Sequence, residues 1–261
     1  MRLIWMSDIH LNFLNRELRS DFYNRIKEAD GDIVIISGDI AESHNIKQFL
    51  KEICETTKKP VFFVCGNHDF YGSSITVVKR SFRPFSYLSR GWGTPLTDAV
   101  MLLGVDGWGD CRNGDYENSN LTMSDWLYID ELRESYRQGS QKLKKTLQSL
   151  ADKDAQTLKR RVNSAIKKGY KKLILVTHVP PFEECCCHAG KKSTPDGLPF
   201  FSSKILGDTI LPMAKLNPEV DFLWLSGHTH SRVTYKPCDN MTCKVAKADY
   251  YFPQIEEIIN V

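Results

Sequence analysis

Five short blocks of this sequence carry side chains that bind divalent metal ions, and each block comes directly after a short apolar run. Their imidazole, carboxylate and amide groups are donors that ions such as Mn, Fe and Zn accept together. Two such ions held about 3.5–4 Å apart can bind a phosphate, activate a water and stabilise a leaving oxygen. The blocks are Asp8-Ile9-His10, Gly38-Asp39, Gly66-Asn67-His68-Asp69, Thr177-His178 and Gly227-His228-Thr229-His230.

Two of the blocks place their metal-binding side chains two residues apart. Asp8 and His10 form one such pair, and His228 and His230 form the other. Side chains two residues apart on an extended strand point in the same direction. If strand geometry continues past the apolar runs, each pair presents both of its side chains to the same point. One bridging carboxylate with several neutral ligands would also avoid repelling an anionic substrate.

The apolar runs before the blocks predict strands that are buried on both faces. They are continuous rather than alternating in apolar character, which is typical of such strands. Ligands in layered α/β folds gather at the carboxyl ends of the strands, so five strand ends with Asp, Asn or His indicate a shared site. The predicted strands cover 3–6, 33–36, 61–64, 173–176 and 222–225, with a further strand at 101–105.

Helical patterns lie between several of the predicted strands. In the first of them, Leu18, Phe22 and Ile26 are spaced by four residues and therefore share one helical face. Alternation of strands and helices predicts an α/β layered fold. The predicted helices cover 15–29, 43–54, 140–168 and 203–216.

The length of 261 residues predicts a single domain over 1–261, because α/β enzymes of this size often form one domain with insertions. Loop and helical insertions are expected around 106–169 and 183–203. Within the first, 109–139 is polar, aromatic and poorly periodic, while 183–203 contains Gly, Pro, Ser and three adjacent cysteines. We interpret 109–139 and 183–203 as long loops over the site, since long loops in compact domains are usually functional or disordered.

The bulk composition is that of an ordinary globular protein, with 41% hydrophobic and 26% charged residues. A formal net charge of +3 gives no strong reason to expect nucleic acid or an acidic membrane surface as a partner. No apolar run reaches the roughly 18 residues of a membrane span, and the first residues lack the features of a secretory signal. The expected location is therefore cytoplasmic, where the eight cysteines would be reduced thiols.

Taken in order, the five blocks resemble the motifs of the calcineurin-like metallophosphoesterase family. The resemblance runs from near residue 3 to near residue 235. A lone Asp-x-His is common in proteins, but all five blocks in this order and context are highly specific. The resemblance implies an α/β fold with a layered β-sandwich core flanked by helices, in four α/β/β/α layers.

The resemblance also implies which ion each matched side chain holds. Two divalent metal ions are expected as cofactors, from among Mn, Fe and Zn, with Mn as the first choice. A hydroxide that bridges them would attack phosphorus in line, and metal binding can lower the pKa of water to about 7. The implied ligands are Asp8, His10 and His230 for one ion, Asn67, His178 and His228 for the other, and Asp39 as the bridge.

His68 and Asp69 are the catalytic pair that the resemblance implies. His68 would contact the phosphate and stabilise or protonate the leaving oxygen. Asp69 would orient His68, as carboxylates commonly do for imidazoles. Tyr71 follows two residues later, and the sequence leaves open whether it contacts a substrate or packs the wall of the site.

The function expected from these residues is hydrolysis of a phosphodiester or phosphomonoester in a small molecule, nucleotides included. A nuclease is the alternative enzyme, although the near-neutral charge and the lack of an obvious DNA-binding extension argue against nucleic acid as the partner. A non-catalytic scaffold would typically have lost ligands or the catalytic histidine, which this chain keeps. The protein Ser/Thr phosphatase branch has Gly after the first His, where this chain has Leu11.

A cysteine-rich segment, Cys185-Cys186-Cys187-His188, offers further metal-binding groups. Adjacent thiols are poorly spaced for one tetrahedral zinc ion, which favours gaps of two to four residues. We therefore interpret this segment as a flexible loop with redox-sensitive thiols. Cys238 and Cys243 fit a late hairpin or a loop.

Overall fold

The computed structural model describes all 261 residues and contains thirteen β-strands. Eleven strands form two main sheets, and the other two form a separate hairpin. All six predicted strands are present. The strands are β1 (Arg2–Met6), β2 (Ile33–Ser37), β3 (Val61–Val64), β4 (Ser86–Tyr87), β5 (Thr94–Pro95), β6 (Val100–Gly104), β7 (Lys172–Val176), β8 (Cys187–His188), β9 (Lys191–Lys192), β10 (Asp221–Ser226), β11 (Val233–Cys238), β12 (Met241–Val245) and β13 (Glu257–Asn260).

The strands that precede the five blocks are central in their sheets. The first sheet has the order β13-β1-β2-β3-β4, and the second has the order β11-β12-β10-β7-β6-β5. Strands β1 to β4 are parallel, as are β12, β10, β7 and β6, whereas β13, β11 and β5 pair antiparallel at the edges. Because the site-bearing strands are parallel within each sheet, their carboxyl ends lie along one edge of that sheet.

Eight helices accompany the sheets. They are α1 (Arg16–Glu28), α2 (Ile46–Thr57), α3 (Ile75–Ser81), α4 (Asp125–Tyr128), α5 (Asp130–Arg137), α6 (Ser140–Lys167), α7 (Leu198–Phe201) and α8 (Lys204–Leu216). The four predicted helices correspond to α1, α2, α6 and α8. In α1, Phe22 and Ile26 are fully buried but Leu18 is 49% exposed, so the buried face is narrower than the spacing predicted. None of the helices is both long enough and apolar enough to cross a membrane.

Alternate residues of the strands pack on opposite sides of each sheet. Leu3 and Trp5 of β1 lie in the core between the two sheets, whereas Ile4 and Met6 lie in the core beneath α1 and α2. A third core joins the second sheet to α6 and α8. The layers therefore run helices, sheet, sheet, helices, and the predicted α/β fold with a β-sandwich core is confirmed.

Residues 109–139 are not one long loop, because α4 and α5 occupy 125–137. Trp126, Ile129 and Leu132 are almost fully buried and are spaced by three residues, which is a helical spacing. Polar residues on both sides of them interrupt this short apolar pattern, so the periodicity of the sequence did not predict the helices. The loop prediction is wrong for this part of the segment. Residues 183–203 likewise contain the hairpin of β8 and β9 and the short helix α7.

Candidate metal centre

The loops after β1, β2, β3, β7 and β10 meet and bring the predicted ligands together. Backbone hydrogen bonds continue the strand pairing into these loops. The amide of Asp8 donates to the carbonyl of Gly38 and that of His10 to the carbonyl of Asp39, both at 3.0 Å. Between the two sheets, the amide of His228 donates to the carboxylate of Asp8 at 3.0 Å. The backbone therefore fixes where each ligand side chain begins.

Five of the seven ligand residues have a left-handed backbone conformation. Residues other than glycine adopt it rarely, at a cost of about 1–2 kcal/mol each, and keep it only where the surroundings hold it. Because these residues lie beyond the strand ends, the strand geometry on which the alignment of the two pairs depended does not continue, although the ligand atoms of Asp8 and His10 still lie within 4.8 Å of each other. Turns aim the side chains instead. The φ angles are +51° for Asp8, +37° for His10, +50° for Asp39, +71° for His228 and +57° for His230.

Two glycines of the blocks are required by close approach to the carboxylates. A Cβ atom on Gly66 would collide with the side chain of Asp39, and one on Gly227 would collide with that of Asp8. A residue with any side chain would displace these ligands. The glycines therefore belong to the construction of the centre.

Asp8, His10 and His230 form the first group of metal-binding side chains. Their ligand atoms all lie within 4.8 Å of one another, and Nε2 of His230 is 3.3 Å from Oδ1 of Asp8. His10 is buried, and neither of its ring nitrogens has a hydrogen-bond partner. A buried polar atom without a partner is costly and rare. These nitrogens therefore fit a site that a cation completes.

Asn67, His178 and His228 form the second group. Nε2 of His178 lies 3.1 Å from Oδ1 of Asn67 and 3.2 Å from Nδ1 of His228. Backbone carbonyls, which only accept, bind the opposite ring nitrogens: Nδ1 of His178 donates to Ser37 at 2.9 Å, and Nε2 of His228 donates to Phe200 at 3.2 Å. In the neutral rings, the nitrogens that face the centre therefore carry lone pairs that can bind a metal ion.

The carboxylate of Asp39 lies between the two groups. Its Oδ2 is 3.8 Å from Nε2 of His10 and 3.4 Å from Nε2 of His178. Its Oδ1 accepts a hydrogen bond from the backbone amide of His68 at 2.9 Å. Burial alone would raise the pKa of Asp39, but the charges of His178 and His68 outweigh it and hold the pKa well below its ordinary value. An ionised carboxylate in this position suits a bridging ligand.

The histidines of the centre differ in pKa. Burial lowers the pKa of His10 to about 4, and burial together with the charge of His178 lowers the pKa of His228 to about 3. Burial also lowers the pKa of His178, but Asp39 and Asp8 outweigh it and raise the pKa to about 10. A divalent ion would take the place of this proton. The donor set of two carboxylates, four imidazoles and one amide fits two divalent ions.

His68 stands at the mouth of the centre. Its ring stacks on Tyr71, with ring centroids 4.3 Å apart, and meets His10 edge to face at 4.7 Å. Its Nδ1 is buried and has no hydrogen-bond partner. Packing between two rings, rather than a hydrogen bond, therefore sets the orientation of His68.

Asp69 does not hold the ring of His68, so the expected hydrogen bond between them is absent. Asp69 is fully buried, next to His68 in a short 3-10 turn over His68–Phe70 that turns the two side chains to different sides. Its carboxylate supports the loops that carry Asp39 and Asn67. It accepts three backbone hydrogen bonds of 2.9 Å, from the amides of Ile40, Ala41 and Gly66.

Asp125 of α4 is a residue of the site that the sequence did not reveal. Its Oδ1 accepts hydrogen bonds from Nδ2 of Asn67 at 2.8 Å and from the hydroxyl of Tyr71 at 2.7 Å. With its amino group held in this way, the amide of Asn67 turns its oxygen towards His178. Tyr71 packs on His68, donates its hydroxyl to Asp125 and lines the cleft, so it forms part of the wall of the site, and contact with a substrate stays a prediction. No local motif marks Asp125, because it meets Asn67 across 58 residues of sequence.

A cleft of about 280 Å³ opens onto the metal centre. Four of the predicted ligands, Asp39, Asn67, His228 and His230, form its floor, and its walls come from residues 122–124, His188 and Tyr250. The ring of Tyr250 lies 4.7 Å from that of His10 and 5.1 Å from that of His230. Tyr250 lies beyond the last block, in a segment for which the sequence suggested no role. The cleft therefore combines motif residues with walls that no motif identifies.

The sequence model of the family described as calcineurin-like phosphoesterase matches residues 1–232. This range contains all five blocks and most of the two sheets. The chain belongs to this family. The metal-binding groups of this calcineurin-like phosphoesterase thus lie within the part of the chain that the family defines.

Individual proteins that resemble this chain have low sequence identity to it. The uncharacterized protein MJ1445 of Methanocaldococcus jannaschii is 27% identical over 95 residues, which is 36% of this chain and 49%, or about half, of that protein. A dimetal phosphatase from Danio rerio has a TM-score of 0.63 at 14% identity, over 95% of this chain and 87% of that one. The phosphopantetheinyl hydrolase of Mycobacterium tuberculosis has a TM-score of 0.69 at 12% identity, over 95% of this chain and 89% of that one. At these identities, the two structures show a common fold.

The cysteine-rich segment of this calcineurin-like phosphoesterase lies beside the cleft. Cys185 and Cys186 are buried and Cys187 is half-buried. The thiol of Cys186 donates to the carbonyl of Phe201 at 3.0 Å, and burial together with the neighbouring thiols raises its pKa. Because the thiolate is the reactive form, both burial and the raised pKa oppose a redox role for Cys186. The last residue of the segment, His188, lines the cleft.

Proposed function

We propose that this calcineurin-like phosphoesterase hydrolyses small phosphoesters with the help of two divalent metal ions. The observation that carries the proposal is the direction of the ring nitrogens. Backbone carbonyls bind the outer nitrogens of His178 and His228, so their inner nitrogens converge beside Asn67. The buried nitrogens of His10 have no partner at all. Such an arrangement is costly unless cations bind there.

The ligands divide between two ions as the family resemblance implies. When bound, the ions supply Lewis-acid activation of the phosphate and of the attacking water. Manganese is the proposed ion, because each ion would have both imidazole and carboxylate donors once Asp39 bridges the two groups. The proposed ligands are Asp8, His10 and His230 for the first ion, Asn67, His178 and His228 for the second, and Asp39 for both.

His68 is the proposed proton donor to the leaving oxygen. Its half-buried ring lines the cleft, and stacking on Tyr71 holds it beside the metal centre. A general acid must reach the leaving atom and be held in place, and this position provides both. Asp69 contributes by supporting the backbone on which His68 and Asp39 lie, through its bonds to Ile40 and Gly66.

A small molecule is the proposed substrate rather than a nucleic acid. The cleft volume of about 280 Å³ is near the lower end for small-molecule sites, which span about 300–1,000 Å³. Walls at residues 122–124 and His188 bound the cleft, while the aromatic ring of Tyr250 offers a surface for the organic part of the ester. Both a phosphomonoester and a phosphodiester fit this description.

The first experiment is an assay of the purified protein loaded with Mn²⁺. Hydrolysis of p-nitrophenyl phosphate and of bis(p-nitrophenyl) phosphate is measured for the wild type, for Asp39→Asn and for Asp98→Asn. Asp98 is exposed and distant from the blocks in sequence, so its variant makes the same charge change without touching the centre. Metal content is measured on the same samples by mass spectrometry.

We expect two metal ions per chain and turnover in the wild type and in Asp98→Asn. In Asp39→Asn, turnover should fall to background and metal content should drop, because the bridging position loses its charge. The ratio of the two rates then assigns preference for a monoester or a diester. A wild type that folds but binds no divalent ion would refute the proposal.

A further inference from the structure

A second cleft, of about 330 Å³, lies at the edge of the first sheet and shares no lining residue with the cleft over the metal centre. It is bounded by α3, by the loop after β4 and by the middle of α6. We call it the basic cleft, because four cations and a single carboxylate line it. These charged residues are Lys79, Arg80, Arg83, Arg90 and Asp154.

The positive charge of the basic cleft is largely uncompensated. Arg80 and Arg83 are exposed, and neither guanidinium makes an ion pair or a side-chain hydrogen bond, while that of Arg90 donates to the carbonyl of Lys79 at 2.8 Å. The lining has four cations and one carboxylate, and the buried Arg161 and Asp106 behind it add no net charge. The remaining three positive charges equal the formal net charge of the whole chain, +3, so the formal charges of all other residues sum to zero.

The inner wall of the basic cleft is rigid. The ammonium of Lys79 lies 2.7 Å from Oδ2 of Asp106, which also accepts the hydroxyl of Tyr87 at 2.5 Å. The guanidinium of Arg161 donates to the carbonyl of Ser89 at 2.8 Å. The hydroxyl of Ser89 is buried and has no hydrogen-bond partner. A ligand in the cleft would thus meet the fixed ammonium of Lys79, and the guanidinium of Arg161 lies behind the wall.

Asp106 connects this wall to the metal centre. Its Oδ1 accepts the backbone amide of Cys65 at 2.9 Å, and its carbonyl accepts the backbone amide of His178 at 2.7 Å. Cys65 lies two residues before Asn67, so both bonds anchor loops that carry proposed metal ligands. The ion pair of Lys79 with Asp106 is therefore shared between the basic cleft and the supports of the metal centre.

We infer that the basic cleft binds a compact, multiply charged phosphate anion at a site separate from the metal centre. Guanidinium groups match phosphate oxygens in geometry and charge, and a cavity lined by one sign of charge concentrates the opposite ion. A diphosphate group in the cleft would lie against Arg80 and Arg83 at the rim and Lys79 at the wall. Such a diphosphate could be free pyrophosphate or part of a nucleotide.

Isothermal titration calorimetry on metal-free protein tests this inference. Metals are removed by chelation and the chelator is then removed, because it is itself a polyanion. Pyrophosphate and ADP are titrated into the wild type, into Arg80→Ala/Arg83→Ala, and into Arg16→Ala/Arg137→Ala. The last variant removes the same charge from exposed positions outside the cleft. Binding is measured without metals or turnover, so its outcome is independent of the proposed hydrolase activity.

We expect pyrophosphate to bind the wild type and the Arg16→Ala/Arg137→Ala variant within twofold of each other. The Arg80→Ala/Arg83→Ala variant should bind at least tenfold more weakly. If ADP binds at least tenfold more tightly than pyrophosphate, the site takes a nucleotide, and otherwise it takes the free diphosphate. No binding by the wild type at millimolar pyrophosphate, or an equal loss in both double variants, would overturn the inference.

Discussion

The strand-end blocks and the segment 106–169 contribute to the same centre in different ways. Within the blocks, ligands such as Asp8 and His10 are fixed by left-handed turns and by bonds to neighbouring loops. The segment supplies no ligand, but Asp125 holds the amide of Asn67 and Asp106 holds the backbone of His178. The blocks therefore determine which chemistry is available, and the segment determines how accurately its groups are placed.

The largest effect is expected from loss of a ligand in a block. His10→Asn keeps a residue type that tolerates the left-handed backbone at this position, where φ is +37°. The shorter amide cannot reach the site of the imidazole, so one ion should be lost and turnover should fall at least about 1,000-fold. Metal analysis and the aryl phosphate assay measure this, with circular dichroism to confirm folding. Turnover within tenfold of the wild type would remove His10 from the ligand set.

Within this segment, Asp154 should make the free energy of unfolding fall as pH rises. Burial raises the pKa of Asp154 from 3.8 to about 6. The folded protein therefore binds more protons than the unfolded chain in this range, and the stabilisation is complete below pH 3.8 and is lost as pH rises through about 6. A pKa shift of this size changes the free energy of unfolding by at most about 3 kcal/mol.

Asp154→Asn should remove this loss, because an amide oxygen can still accept the bond that Asp154 accepts from the backbone of Gly107 at 2.9 Å. The free energy of unfolding of the variant, relative to the wild type, should rise by about 2–3 kcal/mol between pH 4 and pH 7. Urea unfolding at several pH values measures this, with Asp98→Asn as the control. Parallel profiles for the wild type and Asp154→Asn would contradict the prediction.

A smaller effect is expected where the segment touches a ligand. Asp125→Ala frees the amino group of Asn67 and should weaken metal binding or activity by about 10–100-fold, as is usual for partners of metal ligands. Asp125→Asn keeps an acceptor oxygen and should recover much of the loss. Titration of activity with Mn²⁺ separates metal affinity from turnover, and Asp130→Asn, at the half-buried first residue of α5, is the matched control. Equal losses in the alanine and asparagine variants would exclude a positioning role.

The smallest effect is expected at the cleft wall. Tyr250→Ala should raise KM for aryl phosphates by roughly 3–10-fold, which corresponds to the loss of one aromatic contact. It should leave KM for methyl phosphate unchanged, because that substrate has no ring to place there. Steady-state kinetics on the two substrates provide the test, and Tyr251→Ala, on the more exposed neighbour, serves as the control. A rise in KM for both substrates would assign Tyr250 to the support of His10 instead.

The predictable parts of this protein are those that depend on local sequence. Continuous apolar runs gave β1, β2, β3, β7 and β10 to within one residue at either end, because buried central strands need such runs. The metal-binding blocks were recognisable since each block follows a strand end, and four of the five combine a predicted ligand with a second predicted ligand or a glycine. The long helix α6 was predicted because Leu143, Leu147 and Leu150 are spaced by three or four residues.

The parts that could not be predicted depend on contacts between distant segments. Asp125 acquires its role only when α4 packs over Asn67, and Tyr250 only when the last loop returns to His10. Asp69 was assigned to the wrong partner because adjacency in sequence does not determine the direction of a side chain in a 3-10 turn. The left-handed turns escaped prediction for a similar reason, since hydrogen bonds from neighbouring loops hold them.

The left-handed backbone at five ligand positions also limits how the centre can drift over evolutionary time. Asparagine, aspartate, histidine and glycine tolerate this conformation best, and β-branched residues are strongly disfavoured. A random substitution at such a position is therefore retained most readily when it introduces one of these four residues. Three of the four still carry a metal-binding donor. The fold thus biases neutral variation towards residues that preserve part of the affinity for metals.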